Sequence, residues 1–214
     1  MNFKQNNYVV IKQAIHKKVA AFIFQYFLNK KKVADYLFKK TNVYSTLWGA
    51  YDDPQIPNTY CAYGDLAMET LLETCLPIIK KHTGKKVLPT YSYARLYKRG
   101  DTLIKHKDRF SCEVSTTLNL GGDKWAIYIE PKINTQAVKI VLSAGDMLIY
   151  KGSICNHWRN VFKGTTCGQV FLHYNNEETK GSMHNIYDGR IMLGMPKDYN
   201  GEKNYGNNMD LYNY

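Results

Sequence analysis

The 214-residue sequence contains no CxxC pair, and its five cysteines, at 61, 75, 112, 155 and 167, are odd in number and widely spaced. This argues against a disulfide framework and against a structural zinc site. With no signal peptide at the N-terminus, it predicts a reduced, intracellular, cytoplasmic protein. Long apolar runs are missing too: the longest, Val19 to Phe27, is broken by Gln25 and is far short of a membrane span, so no membrane partner is expected. Acidic residues are scarce, 18 against 29 lysines and arginines, and the formal net charge of +11 attracts any anionic partner at long range. P-loop, Rossmann fingerprint, serine nucleophile elbow, internal repeat and linker are all lacking.

What remains is the composition of one globular domain with one core, 44% apolar and 22% charged. The 14% aromatic fraction, with 18 tyrosines, points to packed and partly exposed binding surfaces. From Tyr8 to Lys40, apolar residues Ile11, Ile15, Val19, Phe22, Ile23 and Tyr26 recur at steps of three and four, which predicts an amphipathic helix, with a second over Lys32 to Phe38. Tyr44 to Tyr63 has no period and two prolines, and reads as a long ordered loop. The helical period returns from Ala67 to Ile79 and stops at Thr83-Gly84. Beyond Lys86 come short β-rich runs: Ser92–Tyr97, Glu113–Leu120, Trp125–Glu130, Val138–Leu142, Met147–Tyr150 and Gln169–Tyr174. Helices followed by strands predict an antiparallel sandwich or barrel buttressed on one face. The chain reads as a single domain over 1–214: helical buttress and loop over 1–86, strand-rich core over 87–176, and a surface segment over 177–214.

Within the core lies His106-Lys107-Asp108, and His157 follows the strand Met147–Tyr150. Residues i and i+2 at a strand end point to one side, so His106 and Asp108 can meet one ion while a neighbouring strand delivers His157. Two histidines and a carboxylate form the facial triad that suits ferrous iron and leaves the opposite octahedral face open. Taken alone, HxD…H is a weak signal.

The flanking residues add to it. Arg95-Leu96-Tyr97-Lys98-Arg99-Gly100 leads into His106-Lys107-Asp108, and Gly145-Asp146-Met147-Leu148-Ile149-Tyr150 leads into His157-Trp158-Arg159. From Leu88 to Tyr174 the chain resembles the Fe(II) and 2-oxoglutarate-dependent dioxygenase superfamily, on its prolyl-4-hydroxylase-like branch, and in particular its short phage, viral and bacterial members. The resemblance implies a mainly β fold with N-terminal helices, a double-stranded β-helix or jelly roll buttressed by α-helices. It implies Fe(II) on His106, Asp108 and His157, and 2-oxoglutarate as cosubstrate, decarboxylated to succinate as O2 hydroxylates an unidentified substrate. Ascorbate is a further expected cofactor. The substrate is a protein side chain or a small molecule, peptidyl proline being the one the branch suggests. An infected host cell is a setting in keeping with the viral members.

In that branch a basic residue about ten positions after the distal histidine holds the far carboxylate of 2-oxoglutarate, but here that place falls at Thr166, Cys167 or Gly168. Arg159 is the expected substitute, because its planar fork suits a carboxylate. Lys163 and Lys124 are reserves, while Tyr97 and Thr117 would supply hydroxyls. Arg109 is expected to pair with Glu113, His173 to face core or sheet, His16 and His82 to be solvated, and Trp125 and Trp158 to flank the mouth, as core filling ahead of substrate stacking. Cys112 and Cys155 are assigned no role. Two rival readings remain. One is a basic nucleic-acid-binding module without catalysis, its phosphate contacts made by the lysine runs at 17–18, 30–32, 39–40 and 80–81. The other is a jelly roll that has lost its metal chemistry. A catalytic domain that also binds nucleic acid through its basic surface would combine two of these.

Overall fold

The computed structural model describes residues 3–43 and 45–197, so the last part of the expected surface segment lies outside the described residues. After a single turn of helix, α1 (Phe3–Asn6), the chain forms strand β1 (Tyr8–Ile11) and then one unbroken helix, α2 (Lys17–Thr41). The helix expected from Tyr8 therefore begins nine residues later, at Lys17, and the second helix expected over Lys32 to Phe38 is its continuation. The β-branched Val9, Val10 and Ile11 pair as an edge strand, and Gln13 turns the chain in the left-handed region at φ 50°, its backbone N–H donating to Asp146 Oδ1. His16 is exposed as expected, but it also caps α2, its Nδ1 accepting from the Lys18 N–H at 3.2 Å.

The loop from residue 45 to 59 ends in strand β2 (Tyr60–Tyr63). The periodic segment that follows divides into α3 (Leu66–Thr74) and α4 (Leu76–Thr83), because Pro77 cannot sit in a helix interior but is tolerated in the first turn of a new one. Asp65 caps α3, and Gly84, at φ 65°, ends α4. Eight further strands complete the chain: β3 (Val87–Lys98), β4 (Leu103–His106), β5 (Val114–Gly122), β6 (Ile127–Glu130), β7 (Val138–Ile140), β8 (Met147–Lys151), β9 (Asn156–Arg159) and β10 (Thr166–Asn176). The short strands β4 and β9 are the ones the hydrophobic pattern does not show.

Two antiparallel sheets result, one of six strands in the order β1-β8-β5-β10-β3-β2 and one of four in the order β4-β9-β6-β7. Together they are a double-stranded β-helix. The larger sheet buries one face under the helices: Ala20, Ile23 and Phe27 of α2, with Met68 and Leu72 of α3, pack on Ala94, Leu118, Val170 and Leu172. Gly168 seats α2, since a Cβ there would lie 2.5 Å from the Phe24 ring. Period-two alternation then turns the intervening residues inward. The inner face carries Tyr91, Tyr93, Arg95 and Tyr97 of β3, Ser115 and Thr117 of β5, Tyr150 of β8, and Phe171 and His173 of β10. The sheets thus enclose an interior with many polar groups, and the functional side chains stand in it. No helix among the described residues is long and apolar enough to cross a membrane.

Candidate active site

Strands β4 and β9 pair antiparallel, and His106 sits directly opposite His157. Asp108 follows two residues later, where its backbone N–H donates to the Gly152 carbonyl at 3.0 Å. Asp108 Oδ1 lies 3.6 Å from His106 Nε2 and 3.5 Å from His157 Nε2, and one ligand atom from each residue falls within 4.8 Å of the others. Adjacent ligand atoms on an octahedral face are about 3.0 Å apart when bonds are near 2.1 Å, so the carboxylate oxygen is within about half an ångström of that spacing from each imidazole nitrogen.

The ring orientation is also that of a metal centre. His106 Nδ1 stands 2.8 Å from the Ile104 carbonyl and His157 Nδ1 3.2 Å from the Cys155 carbonyl. A carbonyl only accepts, so each Nδ1 carries the proton and each Nε2 presents its lone pair to the site. Asp108 is oriented in the same manner: Ser115 donates to Oδ2 at 2.6 Å and leaves Oδ1 facing the imidazoles, while His173 Nδ1 lies 3.1 Å behind the Ser115 hydroxyl. Burial alone would push the Asp108 carboxyl up, but the surrounding imidazoles, His106 and His157 by hydrogen bonding and His157 and His173 by charge whenever they are protonated, act the other way and hold it well below the usual carboxylate range. Burial lowers His173 to about 4, so at neutral pH it is an uncharged support. It is buried and lines the cavity beside the triad, without being one of the three ligands.

A cavity of about 320 Å³ opens at the triad, walled by Tyr91, Tyr93, Phe171, Tyr150 and Arg95. The Tyr150 hydroxyl lies 3.2 Å from His157 Nε2. Two buried arginines differ in kind. Arg95, on the cavity wall, forms an ion pair with Asp53, and Asp53 also accepts from the Tyr93 hydroxyl. Arg159 is 1% exposed, and no carboxylate among the described residues pairs with it. Its Nη1 donates to the Trp125 carbonyl at 2.8 Å, Nη2 reaches Thr117 Oγ1 at 3.4 Å, and Nε is buried with no partner. Burial pushes the guanidinium pKa down, but arginine stays charged. Arg159 does not line the cavity itself. It stands on the face of β9 that carries His157, two residues and about 6.7 Å further along the strand.

The other expected residues are distributed around this centre. Tyr97 is fully buried and packs edge-on against Trp125, with its hydroxyl 3.4 Å from Arg95 Nη1. Thr117 donates to Gln169 Oε1 at 3.0 Å. Lys124 and Lys163 are exposed, in the loops after β5 and β9, and the structure does not bring them to the cluster. Arg109 pairs with Asp188 and not with Glu113, because the chain after β10 returns to the mouth: Arg109 donates to both Asp188 oxygens, at 2.9 and 2.6 Å, and lies over the Tyr91 ring. Trp125 is a core residue with Tyr97 and Phe162, and Trp158 stacks on Tyr128. Cys112 is buried on the cavity wall, 3.1 Å from the Tyr91 hydroxyl, and its thiol is pushed up by burial. Of the lysine runs, Lys30 is engaged with Asp65 and Lys31 with Asp35.

Composition and spacing did not indicate roles for Asp53, Gln55, Ser115, Tyr150 or Asp188. Tyr150 and Ser115 carried one usable signal, their inward parity on strands that border the triad.

No family model matches the chain, and no curated protein matches it. Solved structures do. A prolyl-4-hydroxylase from Pseudomonas putida superposes with a TM-score of 0.60 at 11% identity, over 82% of this chain and 95% of that one. A prolyl hydroxylase from Trichoplax adhaerens, in complex with a hypoxia inducible factor peptide fragment, gives 0.59 at 14% identity, over 82% and 86%. HygX from Streptomyces hygroscopicus, with nickel and 2-oxoglutarate bound, gives 0.56 at 13% identity, over 82% and 85%. The chain therefore has the jelly-roll fold of the 2-oxoglutarate and iron(II) oxygenases.

Proposed function

We propose that the protein is an oxygenase that uses Fe(II) and 2-oxoglutarate to oxidise, most simply to hydroxylate, a substrate admitted at the Tyr91–Tyr93–Phe171 mouth. The observation that carries this reading is the convergence of three correctly presented ligand atoms, His106 Nε2, Asp108 Oδ1 and His157 Nε2, one strand residue pair away from a buried cation with no counter-charge. When bound, the iron and 2-oxoglutarate supply an oxidant from O2, with release of succinate and carbon dioxide. The protein's own groups bind, orient and exclude water.

Arg159 supports the cosubstrate half. A guanidinium desolvated without a carboxylate is costly to bury, and its partnerless Nε and planar fork suit an incoming carboxylate. Its place on β9 sets it along the strand from the metal ligand His157, the direction in which a dicarboxylate chelated at one end extends. Tyr97 and the Thr117 hydroxyl border the same guanidinium, the latter after turning away from Gln169. Arg95 is the weaker anchor because Asp53 already neutralises it. Ser115 and His173 hold Asp108 in its ligating rotamer, and Tyr150 closes the inner wall.

For the substrate, the peptide-bound neighbour suggests a peptidyl residue, with proline the first to test, and the aromatic walls of the mouth suit an apolar ring. No observation favours the nucleic-acid reading over this one. The test is anaerobic loading with Fe(II) and 2-oxoglutarate, followed by admission of air and measurement of succinate across pools of peptides and small molecules. Asp108→Ala and His157→Ala should each lose metal and turnover together while remaining folded. Turnover retained in either variant would place the iron elsewhere.

A further inference from the structure

The loop between α2 and β2 contributes Asp53 and Gln55 to the cavity wall. Resting on the metal-site reading above, we propose that Gln55 is a ligand-binding residue of the centre, whose side-chain N–H donates to an oxygen of an α-keto acid chelate on the metal. Gln55 Nε2 lies 3.0 Å from His106 Nε2, the nitrogen whose lone pair faces the site. The contact is a hydrogen bond in which the amide N–H donates into that lone pair, so an ion taking the lone pair would release the N–H next to the ion's own ligands.

Which end of the amide faces the metal follows from its other contact. Gln55 Oε1 accepts from Arg95 Nη2 at 2.7 Å, and a guanidinium has only donors, so the oxygen must face Arg95 and the NH2 must face the site. An amide NH2 offers no lone pair to a metal; it can only donate. The ligand it fits is therefore an oxygen already held by the ion, as in the carboxylate and keto pair of an α-keto acid.

The side chain is delivered by a fixed support. Asp53 holds Arg95, accepts from the Tyr93 hydroxyl through Oδ2, and accepts the Gln55 backbone N–H through Oδ1 at 2.8 Å. Next along the chain Ile56 is buried, packed with Tyr97, Leu103 and Trp125. Because Arg95 and Asp53 cancel in charge, Gln55 contributes a directed dipole and not a net field. Asp53 and Arg95 are thus positioning residues for the Gln55 amide.

The experiment is calorimetric titration of Co(II) into the full chain and then, anaerobically, of 2-oxoglutarate or pyruvate into the Co(II)-loaded protein. For Gln55→Leu the expected result is Co(II) affinity within about twofold of the parent, with both α-keto acids binding about tenfold more weakly, the scale of one hydrogen bond to a charged group. For Gln55→Glu, Co(II) should bind more tightly, because a carboxylate can ligate, and both α-keto acids more weakly than in Gln55→Leu. Pyruvate lacks the distal carboxylate, so an equal factor for both acids locates the effect at the metal and not at Arg159. Unchanged α-keto acid affinity in Gln55→Leu, a loss confined to 2-oxoglutarate, or loss of Co(II) itself would each overturn the assignment. A parent chain that binds no Co(II) would overturn the oxygenase reading and this inference with it, whereas Co(II) binding with an indifferent Gln55→Leu overturns the inference alone.

Discussion

Replacing Arg159 by methionine should make the ligand-free protein more stable and the cosubstrate complex weaker, a pairing of signs that a structural arginine would not give. The guanidinium is 1% exposed and paired with no carboxylate among the described residues. Removing a desolvated, uncompensated charge relieves a penalty of several kcal/mol. Against this stand the Trp125 carbonyl, which loses its 2.8 Å donor at about 1–3 kcal/mol, and the stacking of the guanidinium over the Trp125 ring at 4.9 Å, worth about 0.5–2 kcal/mol. The balance favours the variant by about 1 kcal/mol, read as a higher urea midpoint with unchanged slope. For binding, one partner of a buried charge pair is gone, which costs about 2–4 kcal/mol, or roughly 30- to 1,000-fold in the 2-oxoglutarate dissociation constant. Thermal shift reads both quantities: 2-oxoglutarate should raise the melting temperature of the metal-loaded parent with the logarithm of ligand concentration above its dissociation constant, and leave Arg159→Met unmoved at concentrations that saturate the parent but lie below the variant's own dissociation constant. Lys124→Ala and Lys163→Ala, both on the surface, should respond like the parent. If Arg159→Met is protected by 2-oxoglutarate as well as the parent, or is destabilised by more than about 3 kcal/mol, the arginine is structural and the reasoning fails.

Other variants probe the supports of the site. In Gly152→Ala the new Cβ would fall 2.2 Å from the Cys112 carbonyl, 2.5 Å from Ser115 Oγ and 2.6 Å from Asp108 Oδ2, so Co(II) affinity should drop about 10- to 100-fold by titration while the fold is retained. Arg190→Met breaks a fully buried pair with Glu69, leaving the carboxylate uncompensated; urea unfolding should show a loss of about 3–5 kcal/mol, much of it recovered in the double variant with Glu69→Gln. For Asp188, burial raises the carboxyl pKa but hydrogen bonds from Arg109, Tyr63 and Ser111 lower it further, so the folded protein binds fewer protons than the unfolded chain. Its contribution is present above the ordinary aspartate value of about 3.9 and is lost as pH falls through the depressed one. The stability gap between parent and Asp188→Asn should therefore be visible at neutral pH and narrow as pH falls below the ordinary aspartate value, and a gap that does not narrow on acidification would contradict this.

The clustering of His106, Asp108 and His157 was legible because a strand fixes direction locally: at the end of β4, positions i and i+2 share a side, and the same rule places Arg159 beside His157. The succession of helices and then strands was legible in outline from period, with β2, β4 and β9 left out of it. Tyr8–Ile11 was not, since a short apolar run at the head of a helical pattern fits either period, and it is pairing with β8 that makes it a strand. Asp188 reaches Arg109 from 79 residues away and Gln55 reaches His106 from 51, through a segment with no period, so local pattern held no trace of either contact. Pro77 could have divided α3 from α4 in advance, because its ring excludes a helix interior.

The alternation along the strands of the larger sheet has a consequence for how such a chain can diverge. On β5, Val114, Leu118 and Leu120 belong to the core under the helices, while Ser115 and Thr117 face the polar interior between the sheets. Scaffold and chemistry are thus written on alternate positions and constrained by different forces: volume and apolarity on one side, donors and charge on the other. A change in the chemistry of that interior requires substitutions at inward-facing positions only, and none of these enlarges or empties the core. Drift on the core side, in turn, need preserve only packing. Two such registers varying separately leave little sequence in common after long divergence, while the path of the backbone survives. This is the physical setting in which chains 11 to 14% identical superpose over four-fifths of their length.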